Sequence, residues 1–235
     1  MNITDEDKVL SEANKIESEL KIAVEKSIKE TVEEARFFFK YESEIHGYFR
    51  CRLKQCFKEN VILINMEDLI LKECKTRLCY HRETGTDNGV VYGSPERDEL
   101  RRQGHKATSG NFDFAIWDPN KGLYDEGREP VPKALIGIEV KRQRKEVNKK
   151  PAKKEDFINE IIKDCKKLTD AGNELKYKYL LIILYYPDVF TLNIETDLNN
   201  HLRDINVAYC VVNKESEQIA QQVYIPNNWR TNNDS

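Results

Sequence analysis

The sequence predicts an α/β fold, and three observations carry that prediction. Residues 111–117 and 135–141 are strand-like and separated by turn-rich chain, with Asp118-Pro119-Asn120 and Pro130 between them. Tyr179 to Tyr186 is apolar throughout, the pattern of a strand covered on both faces, and Val207 to Val212 repeats it. Helix-period stripes lie before and after the first two strands. The order helix, strands, helix, strand, strand describes a mixed sheet sandwiched by helices.

Taken in order, residues 6–33 read as a long charged helix whose apolar positions, Leu10, Ala13, Ile16, Leu20, Val24 and Ile28, form one narrow stripe. Such a stripe packs on its own domain or pairs with a second copy. A second helix is predicted over about Arg36 to Phe57, with Ile45, Phe49, Leu53 and Cys56 facing the core. Val61 to Ile64 is either a strand or the lead into a helix around Glu67 to Lys75, and Cys79 to Thr84 reads as extended. Residues 85–110, rich in Gly, Ser, Thr and charge, form a long excursion. After the two strands a helix runs from about Lys154 to Asp170, burying Phe157, Ile158, Ile161, Ile162, Cys165 and Leu168, with Gly172 as its stop. The tail after Ser216 carries no readable pattern.

The chain of 235 residues, 39% hydrophobic, suits one sizeable α/β domain with an appendage. The division expected is an N-terminal charged helix over 1–35, a main domain over 36–215 and a tail over 216–235. No apolar run approaches the ~20 residues that span a bilayer, and the acidic N-terminus lacks the regions of a signal peptide. The expectation is a cytoplasmic protein without a membrane partner, its six cysteines reduced. Charge is unevenly spread over the net −3. Residues 1–44 carry twelve acids against seven bases, whereas residues 133–154 carry nine Lys or Arg against Glu139 and Glu146. A basic stretch of that size can neutralise backbone phosphates.

Chemistry is concentrated in Leu135-Ile136-Gly137-Ile138-Glu139-Val140-Lys141. Alternation puts Ile136, Ile138 and Val140 on one face and Gly137, Glu139 and Lys141 on the other. In the preceding strand Phe112, Phe114 and Ile116 are predicted to share a face, with Asp113, Ala115 and Trp117 opposite. If the strands pair with Asp113 beside Glu139, two carboxylates converge within the ~4.8 Å strand spacing that one cation can bridge. Two carboxylates left unpaired would raise one another's pKa, and a hard divalent cation removes that cost. Mg²⁺ is the expected cofactor, with Mn²⁺ as substitute. Bound to a phosphodiester it activates water and stabilises the leaving oxygen, while Lys141 orients the water or offsets transition-state charge.

These residues resemble a known family. Gly-Asn-Phe-Asp-Phe-Ala-Ile-Trp-Asp around Asp113, followed by Ile-Gly-Ile-Glu-Val-Lys ending at Lys141, is similar to the motif of the PD-(D/E)XK phosphodiesterase superfamily. That superfamily includes restriction endonucleases, junction resolvases and defence and repair nucleases. The resemblance covers roughly residues 36–212. It implies a restriction-endonuclease-like α-β-β-β-α-β core with an N-terminal helical extension, Mg²⁺ as cofactor, Asp113 and Glu139 as metal-binding acids, and Lys141 as the catalytic lysine. Many members add a glutamate on the helix before the sheet. Glu44, beside the apolar stripe of its helix, would fill that catalytic and metal-binding place, with Glu42 as its competitor. The helix from Asn159 to Leu168 also resembles the one that follows the motif.

The function expected is a metal-dependent endonuclease hydrolysing DNA. The alternatives are a non-catalytic nucleic-acid-binding or assembly module that keeps the fold, and cleavage of RNA. Arg142, Arg144, Lys145, Lys149 and Lys150, with Arg101 and Arg102 from the excursion, are the expected phosphate-holding residues. A homodimer would let both strands of a duplex be cut. Other chemistries find less support. Cys51-x4-Cys56 and Cys74-x4-Cys79 are spaced too widely for structural zinc, and two cysteines five apart on a helix point ~140° from each other. His46, His81, His105 and His201 have no partner at a triad spacing, and there is no Walker A or Gly-x-Gly-x-x-Gly loop.

Overall fold

Helical and strand periodicities translate directly into elements in the computed structural model, which describes residues 5–35, 39–81, 90–91, 99–100, 102–103, 107–119, 123–124, 131–132, 134–147, 150–171, 175–187, 189–202, 204–215, 218–226 and 229. Two helices open the chain, α1 (Asp5–Glu34) and α2 (Glu42–Glu59). The ambiguous stretch after α2 resolves as a turn, a 3-10 turn over Glu67–Leu69, and strand β1 (Ile70–His81). The short β2 (Val90–Val91) precedes β3 (Ala107–Trp117), which starts four residues earlier than its alternation suggested. There follow β4 (Leu123–Tyr124), β5 (Val131–Pro132), β6 (Ala134–Arg142), β7 (Glu146–Val147) and β8 (Lys150–Pro151). Helix α3 (Lys154–Asp170), β9 (Tyr177–Leu184), the short α4 (Ile194–Leu198), β10 (Asn206–Glu215) and β11 (Gln218–Tyr224) complete the chain.

Seven strands form one mixed sheet in the order β11-β10-β9-β6-β3-β1-β2. β3 runs antiparallel to both β1 and β6, whereas β9 runs parallel to β6 and to β10. A parallel neighbour needs a crossover, and α3 supplies it between β6 and β9. The sheet has a helical layer on each face. On one side Phe114, Ile136, Ile138, Val140, Tyr179 and Leu181 pack with Leu20, Val24 and Ile28 of α1 and Ile45, Phe49 and Leu53 of α2. On the other, Ala115, Leu180, Ile182 and Leu184 pack with Phe157, Ile161, Cys165 and Leu168 of α3. The apolar run of β9 is therefore buried on both faces, as its composition demands.

The division at residue 35 does not separate two packing units. From Leu20 onward α1 belongs to the main core, with Leu20, Val24, Ile28 and Val32 fully buried, whereas Leu10 at the other end of the stripe is 63% exposed. The acids of α1 are spent on other elements. Glu30 pairs with Arg52 of α2 at 2.6 Å, Glu19 accepts from Asn60, and the hydroxyls of Tyr177 and Tyr179 donate to Glu17 and Glu25. The tail is no tail either, since β11 forms a hairpin with β10 in which Tyr209 and Tyr224 stack at 4.2 Å. Among the described residues no helix is long and apolar enough to cross a membrane.

The two ends of the α1 stripe should respond differently to truncation. Leu20→Ala is expected to cost about 2–5 kcal/mol in urea unfolding, as buried leucine truncations do. Leu10→Ala should change stability by less than about 0.5 kcal/mol.

Candidate functional site

β3 and β6 remain paired up to Phe114↔Ile138. One residue further along, the side chain takes over from the ladder: the Val140 backbone N–H donates to Asp113 Oδ2 at 2.8 Å. The face pattern of β3 breaks at the same point. Phe112 sits in the α3-side core with Ala115, while Phe114 and Ile116 face α1 and α2, so Phe112 does not share a face with Phe114 as strict alternation would have it. Asp113 thus occupies a fork between two strands.

Alternation holds along β6. The Cβ that Gly137 lacks would lie 2.5 Å from Leu175 Cδ1 and 3.2 Å from Leu168 Cδ2, so a larger residue here would make the ends of both leucine side chains shift. Glu139 and Lys141 follow on the same face and meet two residues of α3. Lys167 Nζ lies 2.6 Å from Glu139 Oε1 and 3.2 Å from Asp164 Oδ1, and Lys141 Nζ lies 2.8 Å from Asp164 Oδ2. Lys167 also donates to the Asn111 carbonyl at 2.7 Å.

Burial sets the electrostatics. Glu139 is 1% exposed, and loss of water pushes its carboxyl well above the usual glutamate range; Lys167 pulls it back, and the charges of Asp164 and Asp113 push it up again. Burial works to deprotonate Lys141, but Asp164, then Glu42 and Asp113, outweigh it and hold the ammonium above its ordinary value. Lys167 behaves likewise, with Glu139 and Asp164 overcoming burial. Both lysines are therefore cations.

Three residues that sequence reasoning did not single out complete the cluster. Asp164 and Lys167 stand one turn apart on α3. His46 on α2 brings Nε2 to 3.8 Å from Asp113 Oδ2, its ring edge-on to Phe114. Four buried side-chain polar atoms among the described residues lack a hydrogen bond, and three of them, His46 Nε2, Glu139 Oε1 and Asp164 Oδ2, lie here. The two acid oxygens have ammoniums at 2.6 and 2.8 Å, outside hydrogen-bonding angles but well within ion-pair reach, so both are charge-compensated. Asp164 was readable in principle. It falls between Ile161 and Leu168 at three- and four-residue spacing, a carboxylate inside the buried stripe of α3.

The remaining expected residues fall elsewhere. Glu44 is exposed and accepts from the Tyr41 backbone N–H at 3.0 Å, closing the first turn of α2. Glu42, two residues earlier and so about 200° around the helix, shares a face with His46 and is the acid whose charge reaches Lys141. Arg142 is 8% exposed, donates to the carbonyls of Phe39 and Gln143, and lies 5.0 Å over the Tyr185 ring. It is a packing residue, not a phosphate contact, because its strand position points it toward the α1–α2 side. Arg144, Lys145 and Lys150 are exposed around the β7–β8 hairpin. Arg102 is exposed and pairs with Glu99 at 2.7 Å. Arg101 and Lys149 lie outside the described residues, as do the side chains of Cys74 and Cys79; Cys51 is exposed and Cys56 buried.

The donors gathered here, carboxylates and a main-chain carbonyl, are hard oxygens of the kind Mg²⁺ takes. Yet no group of three or more His, Cys, Asp or Glu side chains among the described residues is arranged to hold a metal ion. Each carboxylate of the pair Glu139 and Asp164 is instead drawn to a lysine. No protein-family model, curated protein or solved structure matches the chain.

The raised Glu139 value has a stability consequence. Between the ordinary glutamate range and the raised native value, the folded protein holds a proton that the unfolded chain has lost, so stability present at low pH fades as pH rises through that window. Urea unfolding at pH 5 to 8 should therefore show the advantage of wild type over Glu139→Gln shrinking with pH, by at most about 1.4 kcal/mol per unit. A difference that does not change with pH would contradict this.

Proposed function

We propose that the chain is a divalent-metal-dependent phosphodiester hydrolase acting on DNA, with Asp113 and Glu139 as the acids that hold the ion. The observation that carries the reading is the convergence at one fork, from β3, β6 and α3, of Asp113, Glu139, Lys141 and Asp164. The succession α2, β1, β3, β6, α3, β9 agrees with the α-β-β-β-α-β order implied by the PD-(D/E)XK resemblance, with the two acids on adjacent strands, which supports a restriction-endonuclease-like core.

When bound, Mg²⁺ or Mn²⁺ supplies an activated water and neutralises charge on the phosphate. The chain's own groups do the rest. Glu139 and Asp113 bind through oxygens fixed on adjacent strands. Lys141, kept cationic by Asp164, offers positive charge to a phosphorane oxygen. His46 Nε2 stands beside Asp113 without a hydrogen bond, where a water or phosphate oxygen would satisfy it. Arg144, Lys145 and Lys150 extend positive charge from the site-bearing end of β6.

One observation favours a second reading, a nucleic-acid-binding module without catalysis: Glu139, Asp164, Lys141 and Lys167 already neutralise one another. Incubation of plasmid, single-stranded DNA and RNA with the protein and Mg²⁺ or Mn²⁺ separates the two. Cleavage is expected with DNA, lost on chelation, and reduced at least about 100-fold in Asp113→Asn and Glu139→Gln, since even outer partners of metal sites cost up to that much. Absence of cleavage by wild type, or full activity in both variants, excludes the hydrolase.

Binding has its own signature. Removing Arg144 or Lys150 should lower the slope of log affinity against log salt by about one phosphate's worth each, uniformly across DNA sequences. Arg142→Met should instead reduce stability.

A further inference from the structure

Three oxygens surround the Lys167 ammonium: Glu139 Oε1 at 2.6 Å, the Asn111 carbonyl at 2.7 Å and Asp164 Oδ1 at 3.2 Å. The Asn111 carbonyl accepts a hydrogen bond from it, and the two carboxylates stand within ion-pair reach. Asp164 turns its other oxygen to Lys141 at 2.8 Å, so one carboxylate anchors both lysines. Two carboxylates and a main-chain carbonyl are also the donors that a hard divalent cation seeks.

We propose that Lys167 is the resident cation of this oxygen cage, and that a divalent ion enters the cage only by displacing the Lys167 ammonium. The inference rests on the metal-dependent reading above. Glu139 is 1% exposed, and a carboxyl so buried needs a counter-charge whenever it is ionised. A lysine ammonium is a point charge on a flexible four-carbon stem, so it can fill the cage and still withdraw. An ion seated among the same three oxygens would take the position that the ammonium holds. The seat of Lys167 and the ion therefore exclude each other, and the apparent affinity for the ion falls by the fraction of time the cage is free. A lysine that serves only as a fixed ion-pair partner would not respond to metal.

The test is Mn²⁺ titration calorimetry of wild type and Lys167→Met, counting the binding that Glu139→Gln abolishes. Lys167→Met is expected to bind about tenfold tighter or more, the factor for a cage free one time in ten. In wild type, Mn²⁺ should raise the rate at which Lys167, located by mass spectrometry, is acylated by an amine reagent. Equal or weaker Mn²⁺ binding by folded Lys167→Met overturns the proposal, as does unchanged Lys167 acylation in wild type saturated with Mn²⁺. If Lys167→Met does not fold, the acylation result decides alone. Mn²⁺ binding without a lysine response overturns this inference and spares the hydrolase reading; no Mn²⁺ binding by either protein overturns both.

Discussion

The constraint on which the site depends is the burial of one carboxylate. Glu139 sits on the central strand pair, under α3, at a place where water cannot reach it. An ionised group there is tolerable only with a partner, and every other polar feature of the neighbourhood follows from that need. α3 brings Lys167 to it, Asp164 pairs with Lys167, and Lys141 forms an ion pair with the second oxygen of Asp164. Gly137 leaves room on the same face for the Leu168 and Leu175 side chains. The cluster is over-acidic even so: three carboxylates, Asp113, Glu139 and Asp164, share two ammoniums.

The frame of this site was legible from sequence because apolar patterning forces it. The all-apolar β9 could only be a doubly covered strand, and the stripe from Phe157 to Leu168 fixed α3 at Lys154–Asp170, with the same ends as read from the sequence. Alternation along β6 put Glu139 and Lys141 on one face for the same reason. What escaped was whatever depended on a neighbour. β11 has a Gln-rich sequence without strand character of its own and exists through its pairing with β10. Which helix acid approaches the site is a matter of rotation about α2, and the two candidates differ by about 200°. Glu44 serves the helix start while Glu42 faces inward.

Charge misled in two directions. Arg142, inside a run of basic residues, looked like a surface cation, but strand alternation buries it. Conversely, His46 looked isolated because its partner lies 67 positions away in the chain, across a fold-level contact (113 minus 46). Buried charge is a tertiary property, and a run of like residues says little about which of its members see water.

The Arg142 contacts bear on how the protein is put together. Its guanidinium grips the Phe39 carbonyl, and the Tyr185 hydroxyl accepts from the Phe39 N–H and donates to the Ala35 carbonyl, so the joint between the first two helices is clasped to the strand end next to Lys141. The N-terminal helix is for that reason not a detachable handle. Grafting, trimming or swapping it as a module would tug on the backbone immediately beside the lysine, and the chain can be rearranged there only by rebuilding its chemistry as well.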